Sequence, residues 1–262
     1  MKLLSVIIIA LSFFLLSSCL DTEETVALNS DDSGTYTIAM NMDGMLSQIK
    51  AFAPQKNMDN NQKVDSIIQF KNYLDTASNI SAEDKILLHD GFIKMHVDED
   101  KDEMSFAVIL PFKNYADLPE IKQRLGDAMS TSGILEKALK TNAGDPSEEN
   151  QMSIPGNKSF SVNPFEKAYK INISENSISR SILSEKYITD TLMQDSSIQT
   201  LKQMSAFLGE TNYKFTFILP REAKHYSGNN ITISDDKKTI SFGSSITEIL
   251  DDPKTLEFRI DY

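Results

Sequence analysis

From residue 25 the chain alternates between apolar and polar side chains. Val26 and Leu28 lead into the turn Asp31-Asp32-Ser33-Gly34; then Tyr36, Ile38, Met40 and Met42 share one face, with Thr35, Thr37, Ala39 and Asn41 on the other. A period of two interrupted by such a turn predicts a β-hairpin. The period then lengthens. Met45, Leu46, Ile49 and Phe52 form one stripe of a helix, and after the polar segment 53–63 a second helix is expected to carry Val64, Ile67, Ile68 and Leu74. Ser81, followed by Glu83 and Asp84, opens a third helix, because a hydroxyl caps free N–H groups and acids suit the positive end of the helix dipole. Strands over 92–97 and 104–112 flank the charged tip Asp98 to Glu103.

Helical spacing returns at Leu118, Ile121, Leu125 and Met129, and again at Ile134, Leu135, Ala138 and Leu139. Residues 141–158 hold Gly144, Pro146, Pro155 and Gly156 with few apolar residues, and read as a long loop or a sub-division of the domain. Tyr169, Ile171 and Ile173 predict a strand paired across Glu175-Asn176 with one bearing Ile178 and Ile182. A long helix from about Ser184 to Leu208 follows. Four strands close the chain, at Tyr213–Leu219, Ile231–Ile233, Ile240–Phe242 and Leu256–Ile260, with a helical turn over 244–250 stopped before Pro253. Hairpins interleaved with helices, without regular βαβ alternation, predict an α+β domain over 25–262: an antiparallel β-sheet built from hairpins, with several helices packed on one face.

Ahead of this domain stand Met1-Lys2, an apolar run from Leu3 to Leu16, and the small residues Ser17-Ser18 before Cys19. That order describes a secretory signal. The run is shorter than the roughly 20 apolar residues that cross a bilayer. Leu16-Ser17-Ser18-Cys19 resembles a bacterial lipobox, which implies cleavage between Ser18 and Cys19 and acylation of the Cys19 thiol. Residues 19–24 then read as an acidic tether. With the Gly34-Thr35-Tyr36-Thr37-Ile38 strand and the closing Asp252-Pro253-Lys254-Thr255-Leu256 stretch, the chain is similar to uncharacterised outer-membrane or surface lipoproteins of Bacteroidota. The resemblance implies a lipid anchor in the outer membrane, on its periplasmic or its outer face, and lends no mechanism.

Composition narrows the chemistry. Against 26 Lys and Arg stand 38 Asp and Glu, a net charge of −12 that becomes −13 when Lys2 leaves with the signal. Scattered basic residues in an acidic chain exclude a nucleic-acid partner. One Cys excludes an internal disulfide or a multi-thiolate metal site. His89, His96 and His225 lack ligand spacing, and the acids at 98, 100 and 102 fail as a calcium loop because Glu103 holds the glycine position and Ile109 the bidentate-acid position. No metal, cofactor or catalytic residue is expected.

Tyr213, Phe215 and Phe217, with eleven Met in the chain, suggest a surface for an apolar ligand, although a sheet must bury one face in any case. The expectation is a lipid-anchored, non-enzymatic envelope protein with a binding or assembly role. Its alternatives are a carrier or sensor of a lipid or other apolar ligand, and a hydrolase without a recognisable motif.

Overall fold

The computed structural model describes residues 21–43, 63–74, 80–132, 165–194, 198–199, 202 and 211–262. Twelve strands among them form two sheets, not the one expected. β1 (Asp21–Leu28) and β2 (Gly34–Asn41) make the predicted hairpin in the register Asp21↔Asn41 to Leu28↔Gly34. Asp32 takes the left-handed conformation at its turn (φ 68°), which Asp tolerates better than most residues. β3 (Lys63–Gln69), β4 (Phe92–Asp98) and β5 (Glu103–Phe112) extend the sheet beyond β2; β8 (Asn212–Ile218), β11 (Thr239–Ser245) and β10 (Thr232–Ile233) extend it beyond β1. The order is β10-β11-β8-β1-β2-β5-β4-β3. β1 and β8 run parallel, Glu24 opposite Phe215 and Val26 opposite Phe217, so the sheet is not wholly antiparallel.

The second sheet has the order β6 (Tyr169–Ser174), β7 (Ser177–Ile182), β12 (Phe258–Asp261), β9 (His225–Ser227), and β9 had no sequence signal. It packs on the β8–β11 part of the large sheet. Phe258 lies 5.6 Å from Phe215 and 5.1 Å from Phe217, and stacks on Phe242 at 4.7 Å. The described helices are α1 (Lys71–Leu74), α2 (Ala82–Leu88, capped by Ser81 as predicted), α3 (Leu118–Ser132), α4 (Glu185–Asp190) and α5 (Ile246–Asp251). Arg124 of α3 reaches Asp84 of α2 at 2.9 Å and its own-helix neighbour Glu120 at 2.7 Å. The covering layer therefore mixes sheet with helix.

Three further expectations are corrected. Residues 63–69 form β3, paired with β4 from Lys63↔Asp98 to Gln69↔Phe92, and only Lys71–Leu74 turn helical. Val64, Ile67 and Ile68 are β-branched, and a free edge offered by β4 outweighs their helical spacing. The helix expected from Ser184 stops at Asp190, where the Thr191 N–H bonds back to the Tyr187 carbonyl and a short 3₁₀ turn follows. Asp21 to Glu24, read as tether, are the first half of β1, inside the large sheet. The expected helices at 45–52 and 134–139, the loop at 141–158, the signal at 1–18 and Cys19 lie outside the described residues.

Candidate functional site

Between the two sheets and α3 sits a group of charged side chains cut off from water. Glu24 projects from β1 on the same face as Val26 and Leu28 and is fully buried. Its Oε2 accepts from Lys122 Nζ at 2.7 Å and from the Tyr36 hydroxyl at 2.9 Å, and its Oε1 accepts from the Tyr213 hydroxyl. Lys122 comes from the buried stripe of α3, alongside Leu118, Ile121 and Leu125, and holds Glu166 Oε2 at 3.0 Å as well. An ion ladder Glu166–Lys122–Glu24 results. Burial pushes the Glu24 carboxyl up, but the charges of Lys122 and Arg180 and the hydrogen bonds from Lys122 and Tyr213 outweigh it and hold the group below the ordinary glutamate value. Burial, reinforced by the charge of Glu24, drives the Tyr36 and Tyr213 phenols well above 10.

Arg180 supplies the second buried cation. It alternates with Ile178 on β7, is 2% exposed, and lies between two rings, 4.2 Å from the Tyr169 centroid and 4.3 Å from that of Phe215. Its Nη1 and Nη2 are buried and accepted by no oxygen among the described residues. Stacking and the field of Glu24 stand in for hydrogen bonds. Two acids and two bases leave this interior electrically neutral, as a low-dielectric setting requires. Burial also pushes the Tyr169 phenol up to about 12, with Arg180 pulling the other way. The Tyr169 hydroxyl donates to the Pro253 carbonyl at 2.8 Å.

Glu166 links this interior to a cleft of about 670 Å³. One wall is the start of α3 with the 3₁₀ turn before it, contributing Tyr115, Ala116, Pro119 and Gln123; another is Leu183 and Tyr187 at the start of α4. The remaining side is β6, and all of Tyr169, Lys170, Ile171, Asn172 and Ile173 line the cleft. A cavity on one face of a sheet would meet every second residue. Five in succession place this one along the rim of the strand. Leu183 stays 59% exposed there, a large apolar side chain facing water. The cleft thus joins aromatic and aliphatic surface to amide side chains and the ion-paired Glu166.

The structure brings together Tyr213, Phe215 and Phe217, the proposed apolar-ligand residues, but as core. Each is at most 2% exposed, their neighbours are Phe165, Phe242 and Phe258, and none lines the cleft. His96 bridges Asp65 on β3 at 2.7 Å and Glu103 on β5 at 3.3 Å, while His89 meets Asp90 at 2.8 Å and His225 lies exposed on β9. No group of three or more His, Cys, Asp or Glu able to hold a metal occurs among the described residues.

No protein-family model and no curated protein sequence matches the chain. Among solved structures it is similar to the folded domain of LppM from Mycobacterium tuberculosis, determined by NMR, with 8% identity over 95% of this chain and 92% of that one and a TM-score of 0.35. So loose a likeness says nothing of function. No described helix is long and apolar enough to cross a membrane.

Proposed function

We propose that this chain is a lipid-anchored envelope protein that acts by binding, with the β6 cleft as its contact site. The cleft carries the reading. Its volume lies within the roughly 300–1,000 Å³ usual for ligand sites, and its floor is fixed by the Glu166–Lys122–Glu24 ladder, so that it is held open in advance of any ligand. Glu166 is already engaged by Lys122, which favours recognition over proton transfer. The anchor rests on the lipobox residues Leu16 to Cys19, and the outer membrane on the resemblance that goes with them. An internal pocket for an apolar ligand is less favoured, because Tyr213, Phe215 and Phe217 would have to part from their ring neighbours.

Two measurements test this. Cys19→Ala should move the protein from the membrane to the soluble fraction; a variant that still pellets with membranes overturns the anchor. A photo-reactive phenylalanine analogue at position 123 should give a cross-linked adduct in intact cells where the same group at Lys237 gives none. Equal labelling at both positions, or none at either, overturns the binding site.

A further inference from the structure

β6 ends its sheet, and among the described residues it pairs with β7 alone. Which backbone groups it leaves over follows from the register. The Leu183 N–H bonds to the Ala168 carbonyl at 2.9 Å, and Ala168 and Leu183 continue the pairing Tyr169↔Ile182. In an antiparallel ladder the bonded pairs alternate, so Lys170, Asn172 and Ser174 turn their N–H and C=O toward β7, and Tyr169, Ile171 and Ile173 turn theirs away. The two-residue turn at Glu175-Asn176 closes on the Ser174↔Ser177 pair, as the same phase demands. The Tyr169 N–H is taken by the Glu166 carbonyl. That leaves the Tyr169 carbonyl and both groups of Ile171 and Ile173 directed along the rim that the cleft follows.

We infer that the cleft takes an extended polypeptide segment, which adds to β6 as a fifth strand of the small sheet. The inference rests on the cleft being the binding site and names its ligand class. A strand edge left unpaired among the described residues is a template for one occupant chemistry, another backbone, and five residues of β6 offer about 17 Å of it along the cleft. The opposite wall is suited to the side chains of such a strand: every second one would face Tyr115, Pro119 and Tyr187, so the segment carries apolar residues at alternate positions. The protein's charge of −12 sets the rest of the preference, drawing in a segment with Lys or Arg at its ends and repelling an acidic one.

The test uses the detergent-solubilised full chain, isotopically labelled, and a synthetic peptide Lys-Val-Thr-Val-Thr-Val-Lys with blocked ends. Saturating peptide should shift the Ile171 and Ile173 amide resonances and slow their hydrogen exchange, while the Lys170 and Asn172 amides, bonded to β7, move little. Methylating alternate peptide nitrogens should weaken binding at least about tenfold, the loss expected for one or more missing main-chain hydrogen bonds. Ala116→Trp, at an exposed position on the far wall, should abolish the shifts and leave the circular dichroism unchanged. If peptide moves Gln123 and Tyr187 but leaves the Ile171 and Ile173 amides untouched, or if methylation has no effect, strand addition is wrong while the cleft remains a binding site. Absence of any shift at millimolar peptide, with adducts still forming at position 123 in cells, also removes the polypeptide and leaves another ligand class. Absence of both removes the site.

Discussion

Glu24 is an acid with no route to water, tolerable only because a lysine, two phenols and the charge of an arginine surround it. Breaking such a group is worse than removing it whole. Lys122→Met should destabilise the protein by about 3–5 kcal/mol, seen as a lower urea midpoint, because Glu24 is left charged and buried. Adding Glu24→Gln to that variant should restore part of the loss. Acid should act through the same group. The folded state holds Glu24 below its unfolded value, so its contribution is present above the unfolded pKa near 4.5 and disappears as pH falls through the folded one. Urea midpoints of the native protein should therefore drop on acidification below that point, and Glu24→Gln should flatten the drop; an unchanged slope would rule out this carboxylate as its source.

Three charges of this interior, Glu24, Lys122 and Arg180, leave a trace in the sequence. Glu24 falls in phase with Val26 and Leu28 on a period of two, Arg180 with Ile178 and Ile182, and Lys122 stands between Ile121 and Leu125 on a helical stripe. A charge in step with an apolar face marks a buried ion pair, whereas the acidic composition of 19–24 by itself suggests only a tether. Which of the three would meet depends on the β1–β8 pairing and on how the small sheet lies across it, and no local pattern encodes either.

Among elements, β3 shows how little separates strand from helix. Its apolar residues fit a helix, its exposed Ile67 (64%) gains nothing from the core, and it is secured partly by polar contacts to β4, Lys63 to Asp98 and Asp65 to His96. His96 makes one of these. Hydrogen bonds donated by its ring to Asp65 and then Glu103 raise its pKa above the ordinary 6.5. A raised folded value means the stabilisation is complete below the unfolded pKa and is lost as pH rises through the folded one. Amide exchange in 63–69 should accordingly quicken, beyond its intrinsic pH dependence, across the His96 titration, and His96→Gln should erase that step. The first hairpin was legible throughout, down to its turn, and one position in it has a second constraint. A side chain at Gly34 would stand 2.3 Å from the Ala27 carbonyl oxygen and 2.4 Å from the Phe112 ring. Gly34→Ala should cost about 1–3 kcal/mol in thermal or urea unfolding, the usual range for overpacking.

At the scale of the whole molecule, hairpins and their turns could be read from alternation because each is a local event. The division into two sheets could not, since it depends on β1 pairing with a strand almost two hundred residues away, Asp21 opposite Asn212. That pairing makes the start of the domain part of its centre. A chain beginning at Thr25 should lose the cooperative unfolding transition that one beginning at Asp21 retains, because the shorter chain lacks Glu24 and half of β1. Equal stability of the two by circular dichroism would restore the tether.

The position of Asp21 also sets the length of the leash. With an acyl group on Cys19, Leu20 alone separates lipid from sheet, and two chain steps reach about 7 Å at full stretch. A leash that short would leave no flexible stalk between lipid and sheet. Were Cys19 acylated as proposed, the β1 end would be kept near the headgroups, and a partner would have to arrive from a direction the membrane leaves open.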